Sequence, residues 1–393
     1  MFEIKGKYAV ALVTTENIEK EAIGQITELV NHECSEGSKI VIMPDVHAGA
    51  GCVIGTTMTI TDRVVPNLVG VDIGCGVLAV EILDKELDFD ELQSVIDKYV
   101  PSGFNVHEEE WFSDRILNNL GTPLKKDDKS HILRSIGTLG GGNHFISVEG
   151  DGEKNYLVIH TGSRNLGTKV AKYYQDMAVK SFKGKGSSEL IKELKDSGQE
   201  QLISEKLKEL KLKEKSFNKD LAYLSGMSMS FYLFDLMIVQ SYAKLNRNVI
   251  NTTIFETMGW SMGEYIESVH NYIDTDTMIL RKGSVEAPIG ELFLVPLNMK
   301  DGTLICRGKE NEEWNQSSPH GAGRSMSRRK AKDSISLQDY ENDMVGVWST
   351  SVNENTIDES SFAYKPALEI EEIISQKYEV VRHLKTLFNF KAN

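Results

Sequence analysis

The chain has 393 residues, 40% of them hydrophobic, with a mean hydropathy of −0.28 and a formal net charge of −14. That balance suits a soluble globular protein with a large core, long enough for one large domain or two to three ordinary ones. It excludes a protein that coats nucleic acid by overall basic charge, so any phosphate contact must come from a local basic surface.

Apolar residues near the helical period predict a helix over residues 16–32. Residues 39–46 and 53–60 read as strands, the second with alternating character, and residues 77–83 as a third. Residues 84–128 are polar and mixed, and residues 156–160 form a short apolar strand. From 169 to about 246 the chain lacks proline and shows helical spacing. This stretch holds a Lys- and Glu-rich run at 188–216, then an apolar segment at 221–243 that is long enough to span a bilayer. Asp235, Gln240 and four serines instead mark that segment as a buried or amphipathic helix. Strand-like segments resume at 249–255, 278–281, 291–295 and 303–307, and residues 366–387 read as helical. The mixture implies an α+β or complex α/β fold. It reads as one large domain over residues 1–393 with a helical insertion at about 169–246. The four cysteines (Cys34, Cys52, Cys75, Cys306) are too few and scattered for a disulfide framework. With no apolar core of a signal peptide at the N-terminus, a cytoplasmic location without membrane association is expected.

Five of the nine histidines sit in short segments rich in Gly, Asn, Pro or Ser. His47 lies in Met-Pro-Asp-Val-His-Ala-Gly, His144 in Gly-Gly-Gly-Asn-His, His160 in Ile-His-Thr-Gly-Ser-Arg-Asn, His270 in Val-His-Asn and His320 in Ser-Pro-His-Gly-Ala-Gly-Arg. A sixth segment, Gly-Val-Asp-Ile-Gly-Cys-Gly, adds Asp72 and Cys75. Imidazole and thiolate suit Mn, Fe, Co or Zn, and one thiolate can bridge two ions. Glycines beside Asp72 and Cys75 permit a tight turn that aims both at one centre. Paired metals are a common device in phosphoryl transfer. Taken singly, each residue also fits an ordinary structural role: a satisfied polar histidine, a small core cysteine, a turn-forming aspartate. Five histidines in five such contexts point to a metal site but not to a particular reaction.

Together these six segments resemble the signatures of the RtcB RNA ligase family. Its members are metal-dependent, GTP-using enzymes that join an RNA 3′-phosphate or 2′,3′-cyclic phosphate to a 5′-hydroxyl in RNA repair or tRNA splicing. The resemblance runs from Met43 to Lys391. It implies two Mn²⁺ ions held by Asp72, Cys75, His144, His160 and His270, with the cysteine bridging. His320 corresponds to the histidine that attacks the α-phosphate of GTP, and Asp45 to the aspartate that orients it. Asn143 and Asn271 correspond to asparagines near the phosphates and ribose, Tyr364 to an aromatic that stacks on the base, and Lys391 to a lysine that contacts guanine. Pro296, Asn298, Met299, Thr303, Gly321, Ala322 and Gly323 fall on the nucleotide-contacting stretches. Arg164, Arg324, Arg328 and Arg329 are the expected RNA contacts, although the basic run from Arg324 to Lys332 also fits a solvated turn.

Three departures touch the nucleotide. Ser147 stands where many members carry a guanine-reading glutamate, with Glu149 two residues further on. Leu297 and Asn298 replace a glycine and a serine, and Thr303 replaces a serine. The base preference therefore stays open, as do the physiological RNA and any activating protein; a monomer is expected. Two other readings fit the same metal ligands: a metallophosphoesterase for cyclic or terminal phosphates, and a non-catalytic subunit of an RNA-repair complex.

Overall fold

Two β-sheets position the site, and their central strands Lys39–His47, Gly76–Ile82 and Asn155–Thr161 are buried almost throughout. The computed structural model describes residues 1–183, 187–216 and 218–392. One sheet has six strands, in the order Phe2–Lys5, Val10–Val13, Lys39–His47, Ile54–Thr59, Ile279–Lys282 and Asn271–Asp274. The other has seven antiparallel strands, in the order Met262–Val269, Gly76–Ile82, Asn155–Thr161, Phe145–Gly150, Glu379–Phe390, Gly302–Arg307 and Leu292–Asn298. Sheets and helices mixed in this way make an α+β fold.

Much of the stretch expected to be helical over 169–246 lies in helices Arg164–Lys183, Ser187–Asp196, Ile203–Ser216 and Gly226–Met258, but Leu224–Ser225, expected inside an apolar helix, is a short strand before the last of them. Residues 184–186 and 217 of that stretch lie outside the described residues. The last helix runs through the middle of the molecule. Leu236 and Val239 pack with Ile40 and Ile42 of the six-stranded sheet. Ile250, Ile254 and Phe255 pack with Leu78, Val80, Leu157 and Ile159 of the seven-stranded one.

This packing corrects two expectations. Residues 249–255 are rich in β-branched side chains, yet they continue the long helix to Met258. Their apolar residues fall at helical spacing and fill the core, which outweighs the local propensity. Residues 366–387 split into the helix Ala367–Ser375 and the strand Glu379–Phe390. That strand is inserted between Phe145–Gly150 and Gly302–Arg307. Among the described residues no helix is long and apolar enough to cross a membrane.

Candidate active site

Strand register gathers the expected metal ligands. Val77 pairs with His160, Phe145 pairs with His160, and Gly76 pairs with Val269. Cys75, His144, His160 and His270 therefore stand together at one edge of the seven-stranded sheet. The turn before Cys75 closes with the Cys75 N–H donating to the Asp72 carbonyl at 3.2 Å. Gly74, at φ +74°, lets this turn lie against the long helix: a Cβ there would come 2.8 Å from Ala243 Cβ.

Cys75 Sγ lies 3.5 Å from His144 Nε2 and 3.3 Å from His160 Nε2. His160 Nε2 lies 3.3 Å from His270 Nε2, and His144 Nε2 lies 2.9 Å from Asp72 Oδ2. Two groups result, Asp72–Cys75–His144 and Cys75–His160–His270, each with its ligand atoms within 4.8 Å of one another. They share the sulfur. Burial, reinforced by neighbouring rings, pushes His160 and His270 well below the usual imidazole range, so both are neutral and able to ligate. Burial opposes the Asp72 carboxylate, but His144, Cys75 and Arg164 hold it at about 2. Burial and Asp72 push the Cys75 thiol well up, so a thiolate here calls for a cation. One sulfur, three imidazole nitrogens and one carboxylate converging in this way fit a pair of first-row divalent ions.

Sequence reasoning missed what holds these loops. Asn246 of the long helix accepts from the Gly137 and Thr138 N–H groups at 2.7 and 3.1 Å. It donates to the Thr138 and Gly162 carbonyls at 3.1 and 3.2 Å. Arg247, fully buried, donates to the carbonyls of Gly74 and Thr161 at 2.7 and 2.9 Å and pairs with Glu267 at 2.9 Å. Those carbonyls adjoin Cys75 and His160. In the sequence Asn246 and Arg247 are one Asn-Arg pair among many polar residues of that helix, with nothing local to set them apart. His144 is fixed separately, its Nδ1 donating to the Leu139 carbonyl at 3.0 Å.

His320 and Asp45 meet across the sequence. Asp45, on the strand Lys39–His47, accepts from His320 Nδ1 at 2.6 Å and from the His320 backbone N–H at 3.1 Å. Held this way, Nδ1 carries the proton and Nε2 keeps its lone pair. The His320 ring lies 4.9 Å from that of His270. Gly283, also missed, makes room for it: at φ +60°, a Cβ there would come 2.1 Å from Ile54 Cγ2 and 3.2 Å from His320 Cε1. Gly323 does the same for Asp45, whose carbonyl oxygen would lie 2.5 Å from a Cβ.

A cavity of about 540 Å³ opens over His320, Asp72, Cys75, His160 and His270, while Asp45 and His144 lie outside its lining. Asn143, Asn271, Pro296, Asn298, Met299, Gly321, Ala322, Gly323, Tyr364 and Lys391 all line it. Thr303 does not. It is fully buried in the strand Gly302–Arg307, outside the cavity. Ser147 is likewise buried and donates to Glu149 Oε1 at 2.7 Å, while its strand partner Asn389 reaches the cavity. Glu359, missed in the sequence, is the hub of the far wall. It accepts from Lys391 Nζ at 2.6 Å and from the Tyr364 hydroxyl at 2.8 Å. Burial works against its charge, but Lys391 and Arg328 hold its carboxyl at about 2.

The expected RNA contacts differ in how free they are. Arg328 is tied to Asp358 and Glu359 at 2.6 and 2.5 Å. Arg324 donates to the Asp358 carbonyl at 2.6 Å and stacks over Tyr364. Arg329 is 93% exposed, and Arg164 lies on the other side of His144 in a second groove.

The family model for tRNA-splicing ligase RtcB matches residues 26–130 and 114–392. RNA-splicing ligase RtcB of Escherichia coli is 29% identical over 398 residues, covering 88% of each chain. tRNA-splicing ligase RtcB of Nanoarchaeum equitans is 25% identical over 443 residues, covering 92% of this chain and 87% of the relative. That of Archaeoglobus fulgidus is 27% identical over 406 residues, covering 80% and 78%. The chain belongs to the RtcB family of tRNA-splicing ligases.

Proposed function

We propose that this chain is an RNA ligase that joins a 3′-phosphate, or a 2′,3′-cyclic phosphate once opened by water, to a 5′-hydroxyl through a guanylylated His320. The observation that carries the reading is His320, held from behind by the buried Asp45, facing the same cavity as Asp72, Cys75, His160 and His270. Asp72, Cys75 and His144 would hold one divalent ion and Cys75, His160 and His270 the other, with Mn²⁺ as the expected metal. Bound there, the ions would neutralise phosphate charge beside the reacting nitrogen.

The chain's own groups then account for three transfers. His320 Nε2 forms a bond to the α-phosphorus of GTP and pyrophosphate leaves, while Asp45 stabilises the proton on Nδ1. An oxygen of the RNA 3′-phosphate takes the guanylyl group, and the N–P bond breaks. The 5′-hydroxyl then attacks the activated 3′-phosphate, losing its proton and releasing GMP. Asn143, Asn271 and the backbone from Gly321 to Gly323 are suited to phosphate and ribose, and Tyr364 and Lys391 to the base.

The test is ligation of RNA bearing a 3′-phosphate and a 5′-hydroxyl with Mn²⁺, with and without GTP. A joined product that requires GTP and is lost in His320→Ala supports the reading. Phosphate release without GTP and without joining would replace it with a metallophosphoesterase.

A further inference from the structure

A second and larger cavity, about 1260 Å³, meets the candidate site from its other face. Asp72, Asn143, Glu359 and Lys391 line both spaces, so a molecule in this groove reaches the metal donors at its inner end. Its walls include the loop around Phe104, the loop from Gly141 to His144, Arg164, and the helix carrying Arg329 and Lys332.

Phe104 stands out on this wall. Its relative exposure is 104%, so no protein covers the ring. An exposed phenylalanine alone means little. This one is held in place. The Gly103 N–H donates to the Gly140 carbonyl at 2.9 Å, and the Asn105 N–H donates to the Ser102 carbonyl at 3.1 Å. Ser102 and Gly140 also form a β-bridge. Arg164 crosses the junction. A Cβ on Gly140 would come 1.9 Å from its Nη1, and its Nη2 lies 3.5 Å from the Gly103 carbonyl. The loop presenting Phe104 is thus tied to the loop presenting His144, with a guanidinium between them. Arg164 keeps a left-handed backbone, φ 55°, a conformation that a non-glycine residue holds only when its surroundings enforce it.

The chemistry of the groove selects its occupant. Asp358 and Glu359 on the same wall pair with Arg328 and Lys332, which leaves Arg164 and the exposed Arg329 to meet a phosphate backbone, and one bare aromatic face suits one stacked base. A protein partner would call for a broader apolar patch than a single ring. We infer that this groove takes the 3′-phosphorylated end of a single-stranded RNA, with the terminal base stacked on Phe104 and the terminal phosphate facing Arg164. This rests on the ligase reading for its choice of RNA end. The Arg164 guanidinium, and the cations that the neighbouring donors would hold, favour the terminus with the greater negative charge.

Direct binding tests this without turnover. A short RNA with 2-aminopurine as its 3′-terminal, 3′-phosphorylated nucleotide is titrated with wild type, Phe104→Ala and Phe104→Tyr, and GTP labelling of each protein is followed in parallel. The expected result is a quenched probe with wild type and Phe104→Tyr. Phe104→Ala should lose the quench and bind about 5- to 100-fold more weakly, the range expected for one base–aromatic stack, while labelling with GTP normally. An unchanged Kd in Phe104→Ala, or a quench seen only with a 5′-terminal probe, overturns the inference. Phe104-dependent binding by a wild-type protein that never labels with GTP would support the groove and refute the ligase reading.

Discussion

Replacing Arg247 tests whether the long helix is the frame of the metal centre. Arg247→Met keeps the length and apolar stem of the side chain but removes its donors. The Gly74 and Thr161 carbonyls, now held at 2.7 and 2.9 Å, would lose charge-assisted hydrogen bonds. Each is worth roughly 1.5–3 kcal/mol. Among the described residues Glu267 would keep only Lys244 as an ion-pair partner, at 3.5 Å and more exposed. These losses overlap, so the expected destabilisation is about 3–5 kcal/mol, the usual range when one partner of a buried pair is removed. The two carbonyls adjoin Cys75 and His160, so the ligands should loosen as well, with metal affinity falling about 10- to 100-fold. Urea denaturation gives the first quantity, and Co²⁺ titration followed by thiolate-to-cobalt absorption gives the second. Arg247→Lys, with a smaller donor set, should lie between wild type and Arg247→Met. A stability change below about 1 kcal/mol together with an unchanged Co²⁺ titration would refute the claim that this residue clamps the two loops.

Other outcomes follow from the same geometry. Cys75→Ala should remove the thiolate-to-cobalt band, since Cys75 is common to both donor groups, and should weaken both sites together; an intact band would move the sulfur ligand elsewhere. Asp45→Asn should leave Co²⁺ binding near wild type but slow GTP labelling on the order of 10²–10⁴-fold, because the carboxylate on Nδ1 is gone. Equal slowing of both, or of neither, would count against a role confined to His320. Glu149 is fully buried, and burial, against hydrogen bonds from Ser147 and Thr303, pushes its carboxyl up from 4.5 to about 7. The folded chain then keeps a proton that the unfolded chain releases between these values, so wild-type stability should fall by about 3 kcal/mol as pH rises through that window. Glu149→Gln has no such proton to lose, so its stability relative to wild type should rise from pH 4.5 to about 7 and then level off. A pH-independent difference in urea midpoints would contradict this.

The site was more legible in the sequence than the frame that holds it. Gly-rich segments around Asp72, Cys75, His144, His160 and His320 carry their chemistry in a few adjacent residues, so they could be read one by one. Their convergence depends on register across four strands, which the sequence does not print. The long helix is expected to end near residue 246 because its 249–255 end is rich in β-branched residues, and the partners of its buried Asn246 and Arg247 lie far away in sequence. The strand Glu379–Phe390 was read as helix because its pairing partners lie at 145–150 and 302–307. Arg328 looked like an open phosphate contact until Asp358 and Glu359, about thirty residues later, proved to be its partners. Thr303 matched by motif position alone, and its strand carries it outside the cavity.

The central claim is tested most directly by incubating the protein with Mn²⁺ and α-labelled GTP, then locating the label. The account predicts an acid-labile phosphoramidate on His320, absent in His320→Ala and without metal, and discharged by RNA with a 3′-phosphate. Full labelling of His320→Ala, or no labelling of a wild-type protein that binds Mn²⁺, would contradict it.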